Sequence, residues 1–229
     1  MSEIFVLRIR PDWGDETSAV FPVVLRDGAY LALIDCGYVG SLPLLEAAFT
    51  KQGLSCACLT HVVITHHDHD HIGALAVLKH RYPRINVVAS EGEAAFIEGR
   101  TPALRLTQAR AIQPVLEGEA AASGLAFIHL LETVEPSRVD VRVKGGNVLP
   151  FCGCEVLETP GHTAGHISLF VRELDVLITG DAAIAEGGAL ALANPAYAED
   201  LARAKDSLCM LKTVQASTVV CYHGGVLSD

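Results

Sequence analysis

The chain has 229 residues, enough for one sizeable domain with a proper core, and half of them are hydrophobic, which excludes a disordered protein. Its 17 Lys and Arg residues stand against 27 Asp and Glu residues, giving a formal net charge of −10, so we expect no nucleic-acid partner. Seven cysteines are an odd number, and reduced thiols are expected rather than a disulfide framework.

Membrane and export signals are not evident in the sequence. No apolar run approaches the ~20 residues that a membrane-spanning helix requires, and the start MSEIFVLRIR lacks a signal-peptide pattern. We therefore expect a cytoplasmic protein with no membrane partner. The choice between monomer and homodimer stays open.

The first part of the chain predicts three strands. Alternating apolar residues mark 4–9, 20–26 and 30–34, and Asp27-Gly28 is typical of a hairpin turn between the last two. The third strand ends in Asp35. This carboxylate is either a plain turn residue or a group that orients a metal ligand.

The most informative stretch is 59–74, which reads LTHVVITHHDHDHIGA. An apolar, β-branched strand runs into six consecutive residues that are all His or Asp, the side chains that commonly bind zinc and its first-row neighbours. His66, Asp68, Asp70 and His71 give the pattern H-x-D-x-D-H, in which an alternating pair and an adjacent pair can serve two ions. Two other interpretations are a His-rich surface tract and a solvated polar loop. A register of His67, His69 and His71 is a further alternative.

The pattern changes between residues 96 and 146. Residues 104–121 are mostly compatible with a helix despite Pro114, and residues 139–143 alternate like an exposed strand. Because this segment adds no cluster of ligand types, we expect a helical insertion that covers a site, as lids do.

Ligand types return in the last third of the chain. A strand meets the turn Thr159-Pro160-Gly161 with His162 at its tip, a strand over 175–179 ends at Asp181, and a strand over 218–221 ends at His223. An amphipathic helix is predicted over 199–214. A surface tract would not recruit three distant residues that each adjoin a glycine, so the spacing favours a metal site built from several strand ends.

These motifs resemble those of the metallo-β-lactamase-fold hydrolases over nearly the whole chain. We therefore expect residues 1–229 to form one domain. The matching motifs are Asp35-Cys36-Gly37, the loop 65–73, Thr159-Pro160-Gly161-His162-Thr163 with Gly165-His166, Gly180-Asp181 and His223-Gly224. The resemblance implies an α/β fold, an αββα four-layer sandwich with two mixed sheets face to face, helices outside and the metals at one edge.

The same resemblance implies the ligands. By position, His66, Asp68 and His162 would hold one metal, Asp70, His71 and His223 the other, and Asp181 would bridge them, while His166 looks structural. Asp68 stands where the usual pattern has His. The additional negative charge is expected to weaken Lewis acidity and to favour Mn²⁺ or Fe²⁺ beside Zn²⁺, although zinc remains the first choice.

Two divalent metal ions that share a hydroxide can hydrolyse a small-molecule ester, thioester or lactone. By resemblance, Asp70 is the expected catalytic residue that orients the hydroxide and shuttles its proton. The alternatives are a mononuclear iron oxidoreductase like the persulfide dioxygenases, a phosphodiesterase, and a non-catalytic metal-binding module. The complete second set of Asp70, His71 and His223 argues for two metals.

Overall fold

The computed structural model describes residues 1–228. Its first sheet has six strands in chain order: β1 (Glu3–Val6), β2 (Val23–Asp27), β3 (Tyr30–Ile34), β4 (His61–Ile64), β5 (Asn86–Ser90) and β6 (Val141–Val143). β1 to β3 pair antiparallel, and β3 to β6 pair parallel. The strand expected over 4–9 stops at Val6, and its continuation keeps one isolated bridge, from Ile9 to Val20.

The second half of the chain contributes seven strands: β7 (Cys154–Glu158), β8 (Ile167–Val171), β9 (Val176–Ile178), β10 (Ile184–Glu186), β11 (Ala189–Ala191), β12 (Thr218–Cys221) and β13 (Gly225–Ser228). Five of them form a second mixed sheet in the order β13-β12-β9-β8-β7, and β10 and β11 form a separate hairpin. Only β9 and β12 pair parallel in this sheet.

Residues 1–228 form seven α-helices, four of which pack on the outer faces of the sheets. They are α1 (Leu42–Lys51), α2 (His69–Ile72), α3 (Leu75–Arg81), α4 (Glu91–Ile97), α5 (Leu104–Ile112), α6 (Gly118–Glu132) and α7 (Leu201–Leu211). Residues of α1, α3 and α4 pack in one buried cluster with the first sheet, and α7 packs on the second. Within residues 1–228, no helix combines the length and apolarity needed to cross a membrane.

The core between the sheets is aliphatic. Ile34, Val63 and Val88 of the first sheet pack in one buried cluster with Leu169 and Ile178 of the second. Strand alternation sends the neighbouring residues to the opposite, helix-covered faces. The order helix, sheet, sheet, helix confirms the predicted αββα sandwich.

Residues 104–121 do not form one helix. α5 ends at Ile112, a short 3-10 turn spans Gln113–Val115, and α6 begins at Gly118. The cause is Pro114, which lacks an N–H donor and clashes with the preceding helical turn. The segment is therefore a pair of helices, and its role as a lid stays a prediction.

The candidate metal ligands lie at one edge of the sandwich. The strands β3, β4, β9 and β12 all run toward it, so Asp35, the loop after Ile64, Asp181 and His223 follow strand ends that meet. Gly73 lets the His-Asp loop pack closely here, because a Cβ at this position would lie 2.2 Å from the backbone nitrogen of Val39.

Candidate metal centre

The seven predicted ligands converge at this edge. His66, Asp68 and His162 form one group and Asp70, His71 and His223 another, and within each group the candidate ligand atoms lie within 4.8 Å of one another. In the first group, Asp68 Oδ2 is 3.6 Å from His66 Nε2 and 3.1 Å from His162 Nε2. In the second, Asp70 Oδ2 is 3.2 Å from His223 Nε2.

Asp181 lies between the two groups. Its Oδ2 is 3.7 Å from His162 Nε2 in the first group and 3.5 Å from His223 Nε2 in the second, while its Oδ1 is 3.3 Å from His71 Nε2. A carboxylate in this position faces both sites at once. This is the place that the resemblance assigns to a bridging ligand.

Three buried atoms test whether the centre fits cations. His66 Nε2, His71 Nε2 and Asp181 Oδ1 have no hydrogen-bond partner. Orphaned buried polar atoms are rare and costly, and here they face imidazoles and carboxylates, the donor types of divalent metals. The residues therefore fit the divalent metal ions that the resemblance implies. Among residues 1–228, no candidate ligand group contains His67 or His69, so the alternative register is not assembled.

Asp35 fixes the ring of His71. Its Oδ2 accepts hydrogen bonds from His71 Nδ1 at 2.9 Å and from Thr65 Oγ1 at 2.8 Å, and its Oδ1 accepts one from the Thr65 backbone N–H. With Nδ1 bound to a carboxylate, His71 presents Nε2 to the centre. The structure thus places Asp35 where it can orient a ligand.

His166 performs a similar task for Asp181. Its Nδ1 is 2.8 Å from Thr159 Oγ1, and its Nε2 accepts a hydrogen bond from the Asp181 backbone N–H at 3.0 Å. The ring is buried and belongs to neither ligand group. These contacts indicate a structural role for His166.

The carboxylates of the centre are held in the ionised form. Burial raises the pKa of Asp68, but the hydrogen bond from His162 and the charges of His66 and Arg105 bring this pKa well below its usual range. Burial likewise raises the pKa of Asp181, and the charges of His223 and His71 outweigh it. Burial lowers the pKa of the His223 imidazole, yet Asp181 and Asp70 raise it to about 10. Ionised carboxylates are the form that binds a divalent cation.

A sequence model of the metallo-beta-lactamase superfamily matches residues 16–223, most of the chain and all seven ligand candidates. The chain belongs to the metallo-beta-lactamase superfamily. The match begins before β2 and ends at His223, so it contains every strand of this superfamily member except β1 and β13.

Curated and solved proteins agree with this membership. The superfamily member is 29% identical to a hydroxyacylglutathione hydrolase of Synechococcus sp. (strain JA-2-3B'a(2-13)) over 187 residues, 80% of the chain and 57% of the relative. It is 26% identical to a hydroxyacylglutathione hydrolase of Rhodospirillum rubrum, over 87% of the chain and 63% of the relative. The chain thus spans about 60% of the length of these relatives. A metallo-beta-lactamase family protein from Thermus thermophilus has the same fold, with a TM-score of 0.74, 21% identity and coverage of 99% of this chain and 75% of that protein.

Glu93 is a residue of this superfamily member that sequence reasoning missed. Fully buried, it accepts hydrogen bonds from the backbone N–H and Nδ1 of His67, from Thr163 Oγ1 at 2.7 Å and from the Gly165 N–H at 2.9 Å. One carboxylate therefore ties the loop of His66 and Asp68 to the loop of His162. The only sequence signal is Ser90 three residues earlier, which is typical of a helix capping box. Ser90 does cap α4, but the Glu93 carboxylate reaches the ligand loops instead.

Arg105 was missed as well. This α5 residue donates from Nη2 to Asp68 Oδ2 at 2.9 Å, and nothing in the helix-compatible pattern of its segment singles it out.

Proposed function

We propose that this superfamily member is a hydrolase with two divalent metal ions that acts on a small-molecule thioester, ester or lactone. The observation that carries the proposal is the pair of three-residue ligand groups with Asp181 between them. His66, Asp68 and His162 would hold one ion and Asp70, His71 and His223 the other, with zinc as the first choice. Two bound ions would supply Lewis acidity toward the scissile carbonyl oxygen and activate water near neutral pH.

Asp70 is the residue proposed to move a proton. Its Oδ2 lies 3.2 Å from His223 Nε2. Its Oδ1 is farther from an imidazole, at 3.6 Å from His69 Nδ1. Burial raises the pKa of Asp70, but the charge of His71 and the hydrogen bond from His223 outweigh it and bring this pKa below its usual value, so the carboxylate is ionised. Oδ1 is the atom we assign to receiving the proton of the attacking water.

A cavity beside Asp68 supports a substrate with an apolar group. It has a volume of about 290 Å³ and lies between the His-Asp loop and the helical segment 96–146. Six of its lining residues have large apolar side chains: Ile72, Phe96, Ile97, Leu106, Leu131 and Val134. Such a surface is suited to an acyl chain or another apolar part of a small substrate. The curated relatives named as hydroxyacylglutathione hydrolases favour a thioester among the candidate classes.

The test begins with elemental analysis of protein purified without added metal. Assays then follow on acylglutathione thioesters, aliphatic esters and lactones of short and long acyl chain, with β-lactams and phosphodiesters for comparison. We expect two equivalents of metal and hydrolysis of a thioester, ester or lactone. Two equivalents without hydrolysis would indicate a metal-binding module, and one iron with oxygen uptake would indicate an oxidoreductase.

Replacement of Asp70 tests the assigned proton acceptor. We expect Asp70→Ala to abolish turnover, because it removes a proposed metal ligand together with the proton acceptor, which alone typically contributes about 10²–10⁴-fold. His71→Ala should abolish turnover through loss of a ligand. Asp206→Ala, which changes an exposed carboxylate on α7, is the control and should leave turnover unchanged. Near wild-type hydrolysis by either of the first two variants contradicts the assignment.

A further inference from the structure

The ligand loop carries one more negative charge than the usual pattern. Where a neutral imidazole is expected, Asp68 supplies a carboxylate, so the centre holds three carboxylates, Asp68, Asp70 and Asp181. All three side chains are largely buried, with 10%, 13% and 9% exposed. Burying an unpaired charge is strongly unfavourable, and such charges are therefore paired in folded proteins.

Arg105 is the partner of that extra charge. Its Nη2 lies 2.9 Å from Asp68 Oδ2, and the two side chains are 12% and 10% exposed. In the part of the chain that the structure describes, no other Lys or Arg forms an ion pair with any of the three carboxylates of the centre. A largely buried, charge-assisted contact of this kind is much stronger than a surface ion pair.

The guanidinium is also held from a second side. Nη2 donates to the backbone carbonyl of Tyr197 at 2.9 Å, and the guanidinium carbon lies 5.0 Å from the centre of the Tyr197 ring. Arg105 is the second residue of α5, within the helical segment 96–146, whereas Tyr197 precedes α7. The two contacts fix the position of the positive charge against Asp68 rather than leaving it on a free side chain.

The geometry points to Arg105 as a positioning residue that balances Asp68, so that the Asp68–Arg105 pair replaces the neutral imidazole of the usual ligand set. Three carboxylates and one guanidinium carry the same formal charge as two carboxylates with an imidazole at position 68. The pair therefore offsets the loss of Lewis acidity expected from Asp68 alone. This inference rests on the proposed function in one respect, namely that Asp68 is a metal ligand.

A double-substitution cycle tests the pairing through metal affinity rather than activity. Zinc affinity is measured by competition with a chromophoric chelator for the wild type, Arg105→Met, Asp68→His and the double variant, with circular dichroism as the check on folding. In the wild-type background, Arg105→Met should lower zinc affinity by about 10-fold or more, because Asp68 loses the hydrogen-bond donor that orients its carboxylate and this loss outweighs the removal of a nearby positive charge. In the Asp68→His background the same change should raise zinc affinity by about 10-fold, because it removes a cation beside an imidazole ligand.

Two further variants keep the test decisive. Arg110→Met, on the same helix, breaks a surface pair with Glu132 and should leave zinc affinity unchanged. Arg105→Lys keeps the charge, and we expect its zinc affinity to lie closer to the wild type than that of Arg105→Met. Equal fold-changes for Arg105→Met in the two backgrounds, or equal losses for Arg105→Lys and Arg105→Met, overturn the inference. A protein that shows the coupling but hydrolyses none of the tested substrates would overturn the proposed hydrolase and leave the charge pairing standing.

Discussion

Glu93 shows how much of the centre depends on a residue that binds neither substrate nor metal. Its two oxygens accept hydrogen bonds from His67, Thr163 and Gly165, which belong to the loops of the first ligand group. Burial raises the pKa of this carboxyl, but the contacts with His67 and Thr163 bring it below its usual value. The ionised form is thus favoured, and its acceptor capacity is satisfied by four donors.

Glu93→Ala should be strongly destabilising. The substitution leaves His67, Thr163 and Gly165 with buried donors that lack their acceptor, and breaking a buried charged pair costs about 3–5 kcal/mol. We expect a loss of that size in the free energy of unfolding, measured by urea denaturation. Glu91→Ala, on the same helix, removes an exposed ion pair with Lys144 and should cost at most about 1 kcal/mol. Similar losses in both variants would mean that Glu93 is not the bridge between the loops.

Among the elements, an ion pair at the start of β6 ties α3 to the edge of the first sheet, beside the apolar packing of α3 on β5. Lys79 Nζ at the end of α3 lies 2.7 Å from Asp140 Oδ2, and the same oxygen accepts a hydrogen bond from the Val87 N–H of β5 at 3.0 Å. Burial raises the pKa of the Asp140 carboxyl, but Lys79 and Val87 lower it below its usual value. This carboxylate therefore connects a helix and the parallel edge of the first sheet only while it is ionised.

The Asp140 contact predicts a pH-dependent stability. A pKa lowered by folding contributes stability above the unfolded value of about 3.9, and this contribution is lost as the pH falls through the folded value. Asp140→Asn should lower the free energy of unfolding by about 1.5 kcal/mol at pH 7, and the difference from wild type should shrink toward pH 3. Urea denaturation at several pH values measures it, with Asp206→Asn as an exposed control. A difference that stays constant from pH 7 to pH 3 contradicts the role of the ionised carboxylate.

At the scale of the molecule, the two sheets meet in two places. The aliphatic core joins them through Ile34, Val63, Leu169 and their neighbours. At the edge, ligands from the first sheet, such as His66, face ligands that follow strands of the second, such as His223 and Asp181. Bound cations would join both halves at this edge. Without them, the imidazoles would only partly compensate the negative charge of the carboxylates.

Metal removal should therefore lower the stability of the whole protein. A ligand that binds only the folded state stabilises it by about 2.7 kcal/mol at 100 times its Kd. We expect chelation to lower Tm and re-addition of zinc to restore it. The Asp181→Asn variant should show a smaller restoration, because it weakens the ligand between the two groups. An unchanged Tm after complete removal of metal would contradict a metal centre that joins the sheets.

The sequence by itself predicted most of the strands and all seven ligand candidates, and its resemblance to a known family implied the αββα architecture. Strand alternation and turn residues predicted the sheets, and His162, Asp181 and His223 could be identified because each follows a strand end beside a glycine. These signals are local, since a strand, its turn and the side chain at its end lie within a few residues of each other. The placement of the seven ligand candidates at one edge was implied by the family resemblance, and the parallel pairing of β3 with β4 and of β9 with β12 explains it.

Only the tertiary structure decided what supports those ligands. Glu93 bonds Thr163 across 70 positions of sequence, and Arg105 bonds Asp68 and Tyr197 across 37 and 92. Periodicity predicts which face of an element is buried, but it does not predict which distant polar group that face will meet. Charge balance in the centre is a property of such pairings. For this reason the carboxylate at position 68 could be identified from the sequence, whereas the guanidinium beside it could not.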